Sequence, residues 1–277
     1  MTDRHLVDTR DVVPGLCAAE LVPPPGPGPL GTGSTATLRA AMARFRSGVD
    51  HEGPRRQVES AIDRVDVAEV ATMASQLTAA ALHRRSIELV ADVGFVVPTQ
   101  SLALALGVAE GELESVGSDV RDIVTVIGRQ HRATDVTDAA VDRLLTRFSN
   151  HPDGPVAVAS MLYQNHDATA ALFAAAVSAG VDNSERRSAL ARTVRIASAA
   201  ISIGGCSIEP GDTVELSLDD RDTEFGAGPH QCPGRELTSG IVDAMTAAVI
   251  ASGRSVDGKH IERSPDGRAA ALPLVSL

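Results

Sequence analysis

The sequence predicts a mainly α fold with a small β part, built as one compact body. Three observations predict it. Ala, Leu and Val recur at 3.6-residue spacing from about Leu38 to Ala200, the period of helices that bury one face. Between Ile201 and Leu218, β-branched residues flank the turn pairs Gly204-Gly205 and Pro210-Gly211, the pattern of short strands. The 43% hydrophobic content of the 277 residues suffices for a sizeable core, and no internal repeat divides the chain.

Taken in order, residues 1–37 form a Pro/Gly-rich N-terminal segment. Its run Pro23-Pro24-Pro25-Gly26-Pro27-Gly28-Pro29 favours an extended, loosely packed course because proline fixes φ and removes a donor. Residues 38–277 form a single domain. Helices in it are expected to break near Gly94–Pro98, Gly107–Gly111, His151–Pro155 and Gly180–Ser184, where Gly and Pro interrupt the period. The short β region comes next, then a Gly-rich loop feeding an apolar helix. The tail reads as a turn at Ser264-Pro265-Asp266-Gly267 and a closing strand from Ala271 to Val275.

Bulk chemistry excludes several classes. A net charge of −11 and 2% aromatic residues speak against nucleic acid or an anionic membrane surface as partner. The most apolar stretch, Ala168 to Ala179, is too short to span a bilayer. No secretory signal is visible at the start. Three scattered cysteines, Cys17, Cys206 and Cys232, make no disulfide framework, which fits a reducing cytoplasm. Lys259 is the only lysine, so almost every cation is an arginine, suited to bidentate clamping of carboxylates.

The residues richest in chemistry are Phe225-Gly226-Ala227-Gly228-Pro229-His230-Gln231-Cys232-Pro233-Gly234. Glycines give tight backbone turns and close approach of a flat ligand. A cysteine ahead of a helix N-terminus meets free N–H groups and a positive dipole end, which favour the thiolate. Other readings of the loop are a helix cap around a buried cysteine, a dinucleotide loop and a zinc site. The dinucleotide reading lacks its third glycine, since Gln231 stands there, and zinc would need two ligands beyond His230 and Cys232.

The pattern F-G-x-G-x-H-x-C-x-G, with Leu237 beyond it, resembles the haem-binding loop of the cytochrome P-450 family. That resemblance implies a compact, truncated cytochrome P-450-like fold and haem b as cofactor. Cys232 would be the axial ligand of the iron, and Phe225, Gly226 and Gly234 would shape the cofactor's seat. The likeness extends from about residue 45 to the end. His51 and Arg55 sit where the family bonds a haem propionate, and their i, i+4 spacing puts both on one helix face. Arg195 and His230 are expected at the other propionate. Val97-Pro98 through Leu106-Gly107-Val108 resembles a packing segment, and Leu272-Pro273-Leu274 the final strand.

The departures are as informative. Val156 to Ala179 resembles the long helix over the distal haem face, with Gln164, Asn165, Asp167, Ala168 and Thr169 as candidate catalytic residues. Asp167 keeps the family's acid. Ala168 replaces a hydroxyl that helps deliver protons, so Thr169, substrate or water would have to supply it. The family's Glu-x-x-Arg pair is missing: the best register is Ala189-Leu190-Ala191-Arg192. The lock on the proximal side is gone or rebuilt, and a second copy or a partner subunit could cover that face.

Three functions stand against each other. The first is a haem-thiolate, monooxygenase-like oxidoreductase acting on a small hydrophobic metabolite in secondary-metabolite biosynthesis, with electrons from ferredoxin and ferredoxin reductase. Arg221 and Arg235 beside the loop would give an acidic ferredoxin a local docking patch. The second is a haem enzyme of another kind, using peroxide or performing a dehydration, isomerisation or bond-forming step. The third is an auxiliary subunit without activity.

Overall fold

The computed structural model describes residues 3–24, 31–129, 131–182, 188, 190–256, 262–263 and 269–271. The first elements are β1 (Arg4–Val7), α1 (Val12–Cys17) and β2 (Leu21–Val22). The helical body follows as α2 (Ser34–Ala41), α3 (Val49–Asp63), α4 (Val67–Leu82), α5 (Val97–Ala105), α6 (Leu113–Arg129), α7 (Asp135–Arg147) and α8 (Pro155–Asp182). Then come β3 (Arg192–Ala197), β4 (Ile201–Ile203), β5 (Cys206–Ile208) and β6 (Thr213–Ser217). Helix α9 (Arg235–Ala251) and the short pair β7 (Glu262–Arg263) and β8 (Ala269–Ala271) complete the described chain.

Local chemistry sets the boundaries. Asp66 caps α4 by accepting the N–H groups of Ala68 and Glu69, and Thr134 forms a reciprocal capping box with Thr137 at the start of α7. Helix α8 runs 28 residues, a turn longer than the apolar run suggests, because no Gly or Pro interrupts it before Gly180. It crosses the middle of the body against α3, α5, α6, α7 and α9. Phe173, on α8, is fully buried in the helical core with Leu102, Ile123, Leu162 and Ile241.

The four-stranded sheet has the order β1-β6-β3-β2. β1 runs parallel to β6, pairing Arg4 with Thr213 and Val7 with Leu216, while β3 runs antiparallel to β6 with Arg195 opposite Val214. β4 and β5 form the hairpin expected at Gly204-Gly205. A second core, with Val7, Leu16, Ile208, Val214 and Leu216, fills the space beneath the sheet.

Parts of the N-terminal segment join the sheet. Residues 4–7 and 21–22 are the outer strands of the sheet, because Leu21 and Val7 are buried in the second core. The proline-rich residues 25–30 lie outside the described residues, as does the expected strand at Leu272-Pro273-Leu274. Among the described residues no helix is long and apolar enough to cross a membrane.

Candidate functional site

Between α3, α8, β3 and the loop ahead of α9 lies a cavity of about 480 Å3, within the range that holds a small-molecule ligand. Cys232, His230, Phe225, Gly226 and Gly234 line it from the loop, His51 and Arg55 from α3, and Arg195 from β3. From α8 come Gln164, Asn165 and Ala168, whereas Asp167 and Thr169 are not in the lining.

Backbone chemistry explains the loop. Gly226 takes φ +73° and Gly228 φ +66°, a left-handed region that side chains resist. Gly228 is also hemmed in: a Cβ there would stand 3.0 Å from the Cys17 Cα and 3.3 Å from the Leu16 carbonyl oxygen of α1. The Cys232 N–H donates to the Phe225 carbonyl at 2.8 Å and closes the turn. Arg55 Nη1 donates to the Gln231 carbonyl at 2.6 Å, while its Nε donates to Glu59. The arginine thus ties α3 to the residue beside Cys232. Arg235, exposed like Arg221, lies with Cζ 5.2 Å from the Phe225 ring centroid.

Five arginines line the cavity, Arg39, Arg44, Arg55, Arg192 and Arg195, against one carboxylate, Glu224. Arg55 pairs with Glu59 and Arg192 with Glu215. Arg195 donates to the Thr193 hydroxyl and the Val194 carbonyl, and Arg44, Arg39 and Arg195 have no carboxylate partner among the described residues. The imidazoles of His51 and His230 lie 4.4 Å apart between centroids.

Crowded, half-dry cations disfavour one another's charge. Burial and then the cations Arg195, His51, Arg55 and Arg44 bring His230 down to about 4. Burial, with Arg44 behind it, brings Arg195 down to about 10. His51 is lowered by burial and Arg55, against the opposing pull of Glu59 and Glu52. The arrangement is poised to accept two or more negative charges.

Burial pushes the Cys232 thiol up, outweighing the Gly234 N–H bond and the fields of Arg55 and Arg44. The loop places it three residues ahead of the first helical residue, Arg235, where the helix dipole is weak. A metal ligated there would deprotonate the thiol outright. Among the described residues no three His, Cys, Asp or Glu side chains gather as a metal site.

The candidate catalytic residues divide. Asn165 is buried; its Nδ2 donates to the Pro98 carbonyl at 2.7 Å and its Oδ1 accepts from Thr169 Oγ1 at 2.8 Å. Gln164 Nε2 donates to the Ser160 carbonyl at 3.3 Å. Asp167 is 56% exposed and stands 2.7 Å from His166 Nδ1, and that buried imidazole stacks on Phe95 with an unpartnered Nε2. Ala168 therefore faces the cavity, and the Thr169 hydroxyl is spent on Asn165.

Arg192 finds its acid in another strand and not three residues earlier. Glu215, buried on β6, pairs with Arg192 at 3.0 Å and with Arg4. Three strands supply these residues. Sequence reasoning missed Glu215, Arg39, Arg44 and Tyr163; the signal for the arginines is the stretch 39–49, which carries three cations and no acid in a chain of net charge −11.

This architecture is the cytochrome P450 fold, shortened to 277 residues. Three solved structures that it resembles are P450BioI in complex with an acyl carrier protein ligated to hexadec-9Z-enoic acid, CalO2, and the P450 monooxygenase TamI. The first matches at TM-score 0.75 and 16% identity over 98% of this chain and 91% of that one. CalO2 gives 0.75 and 17% over 98% and 90%, and TamI 0.72 and 18% over 98% and 84%. No family model and no curated protein matches the sequence.

Proposed function

We propose that the chain binds haem b through Cys232 and acts as a haem-thiolate, monooxygenase-like oxidoreductase on a small hydrophobic metabolite of a biosynthetic pathway. The observation that carries this reading is the meeting, in one cavity, of a half-buried cysteine with Arg44, Arg195, His51, Arg55 and His230. A thiol alone would suit many ligands. A thiol facing an excess of cations suits a metal centre that brings its own carboxylates. When bound, haem supplies the oxidising chemistry, and thiolate ligation favours O–O cleavage.

The chain's own residues would hold and shield the group. Arg195, His230, His51 and Arg55 would take the carboxylates, and Arg55 keeps the Cys232 loop in place through the Gln231 carbonyl. Apolar side chains of Val58, Leu102, Ile127, Met161 and Leu172 exclude water from the rest of the cavity. Ferredoxin and its reductase would supply electrons, docking near Arg221 and Arg235.

A second reading, haem-dependent but not monooxygenating, draws support from α8. Ala168 lines the cavity and the Thr169 hydroxyl is occupied by Asn165, so neither position offers a free hydroxyl for proton delivery. Peroxide-driven turnover would favour it; turnover only with ferredoxin, reductase and oxygen favours the first.

The deciding experiment is spectroscopic. Reduced protein treated with carbon monoxide should give the red-shifted Soret band of a thiolate-ligated haem. C232S should lose it, and C206S, altered on an exposed hairpin, should keep it. Protein that remains colourless after incubation with haemin leaves only the auxiliary-subunit reading. The same titration has a second readout, because the chain has one tyrosine and no tryptophan: Tyr163 lines the cavity, and its fluorescence should be quenched as haem enters.

A further inference from the structure

Arg39 is a buried guanidinium that nothing in the site accounts for. It lies in the last turn of α2, is 9% exposed and lines the cavity. Among the described residues its Nε has no hydrogen-bond partner, and Nη2 reaches the Pro24 carbonyl at 3.4 Å. The guanidinium carbon sits 4.1 Å from the centroid of the Phe45 ring, which in turn packs against Tyr163 at 6.4 Å between centroids. A buried charge without a counter-charge is costly, and fixed carboxylates normally accompany it.

The position is built. Thr35 donates both its N–H and its hydroxyl to Asp138 Oδ1 at 2.7 Å, and Ser34 donates to Asp142 at 2.6 Å. Those contacts pin the start of α2 to α7. Arg39 enters the cavity from α2, whereas Arg55 enters from α3 and Arg195 from β3.

We propose that Arg39 selects substrates that carry a carboxylate on an otherwise apolar body. The planar fork of a guanidinium matches a carboxylate edge to edge, and Leu102, Ile127, Met161 and Leu172 supply an apolar wall for the remainder. This rests on the reading above, in which haem occupies the other cations, and it narrows the substrate to a class.

Decanoate and decan-1-ol are matched probes that differ in the charged head. Calorimetric titration of the haem-loaded protein should show decanoate binding about tenfold or more tightly than the alcohol. R39Q should bring decanoate to the level of decan-1-ol and leave the alcohol unchanged. R39K keeps the charge without the fork and should lose part of the preference, which serves if R39Q does not fold. Equal binding of the two probes to the wild type overturns the proposal. So does a preference that R39Q or R39K leaves intact, or one that R195Q alone abolishes. Haem content, read from the absorbance of the same preparations, scores the haem reading separately. If no haem is taken up, the same titration on the haem-free protein still decides whether the preference depends on Arg39.

Discussion

Side chains of like chemistry on α8 do different work according to the face they occupy. Thr169 and Asn165 form a closed chain to the Pro98 carbonyl, so their role is to hold α8 against α5. T169V would leave the Asn165 oxygen buried without its donor; stability in urea unfolding should fall by about 1–3 kcal/mol, with the haem spectrum unchanged. Ala168, one residue earlier, borders the cavity and should behave in the opposite way. A168S should leave urea stability within about 0.5 kcal/mol while changing the balance between ferredoxin-driven and peroxide-driven turnover. At this scale a family resemblance in the loop, in the His51–Arg55 pair and in the strand residue Arg195 singled out Cys232, His230, His51, Arg55 and Arg195, all of which line one cavity. Arg39, Arg44 and Glu215 carry no such resemblance. Their roles arise from strands and helices that meet only in three dimensions.

Elements meet most tightly where glycine permits it. Gly228 combines a left-handed φ with α1 backbone 3.0 Å from where a Cβ would stand. G228A should therefore displace the loop and cost about 1–3 kcal/mol in thermal or urea unfolding, together with a weaker haem quench of Tyr163. Gly240 on α9 meets Val67 of α4 across a gap where a Cβ would lie 3.0 Å from Cγ1, so these two helices pack with backbone close to side chain. The helices were legible from periodicity, and α8 matched its apolar run to within a few residues. β1 was not. Its four residues, Arg4–Val7, are too short to show alternation, and their partner lies at 213–216. Burial patterns set by a distant strand leave little trace in local sequence.

Across the whole molecule, Asp212 fastens the first residues to the rest. It accepts the Asp3 N–H at 2.9 Å, faces His5 Nε2 at 2.9 Å and accepts the Glu209 N–H at 3.0 Å. Bonding from His5 and these backbone groups holds its carboxyl below the ordinary 3.8. The ionised form is thus favoured by folding. Its contribution is complete above the unfolded value, about 3.9, and disappears as pH falls through the lower folded value. D212N should lower Tm relative to wild type at pH 7, and the gap should close on acidification to about pH 2. An unchanged gap would mean that the carboxylate's charge contributes nothing.

The strand order β1-β6-β3-β2 also orders events in time. Residues 4–7 leave the ribosome before the helical body, yet their parallel partner begins at Thr213. Vectorial synthesis can consolidate the helices from α3 to α8 early, since their contacts are closer in sequence. The sheet must wait until β6 has been made, because long-range pairing meets its loop-closure cost only then. Arg195 and the α1 buttress beneath Gly228 arrive with that sheet. On the proposed function, haem would enter only after the sheet has formed, and a nascent chain stalled after α8 should be helical and unable to take up haem.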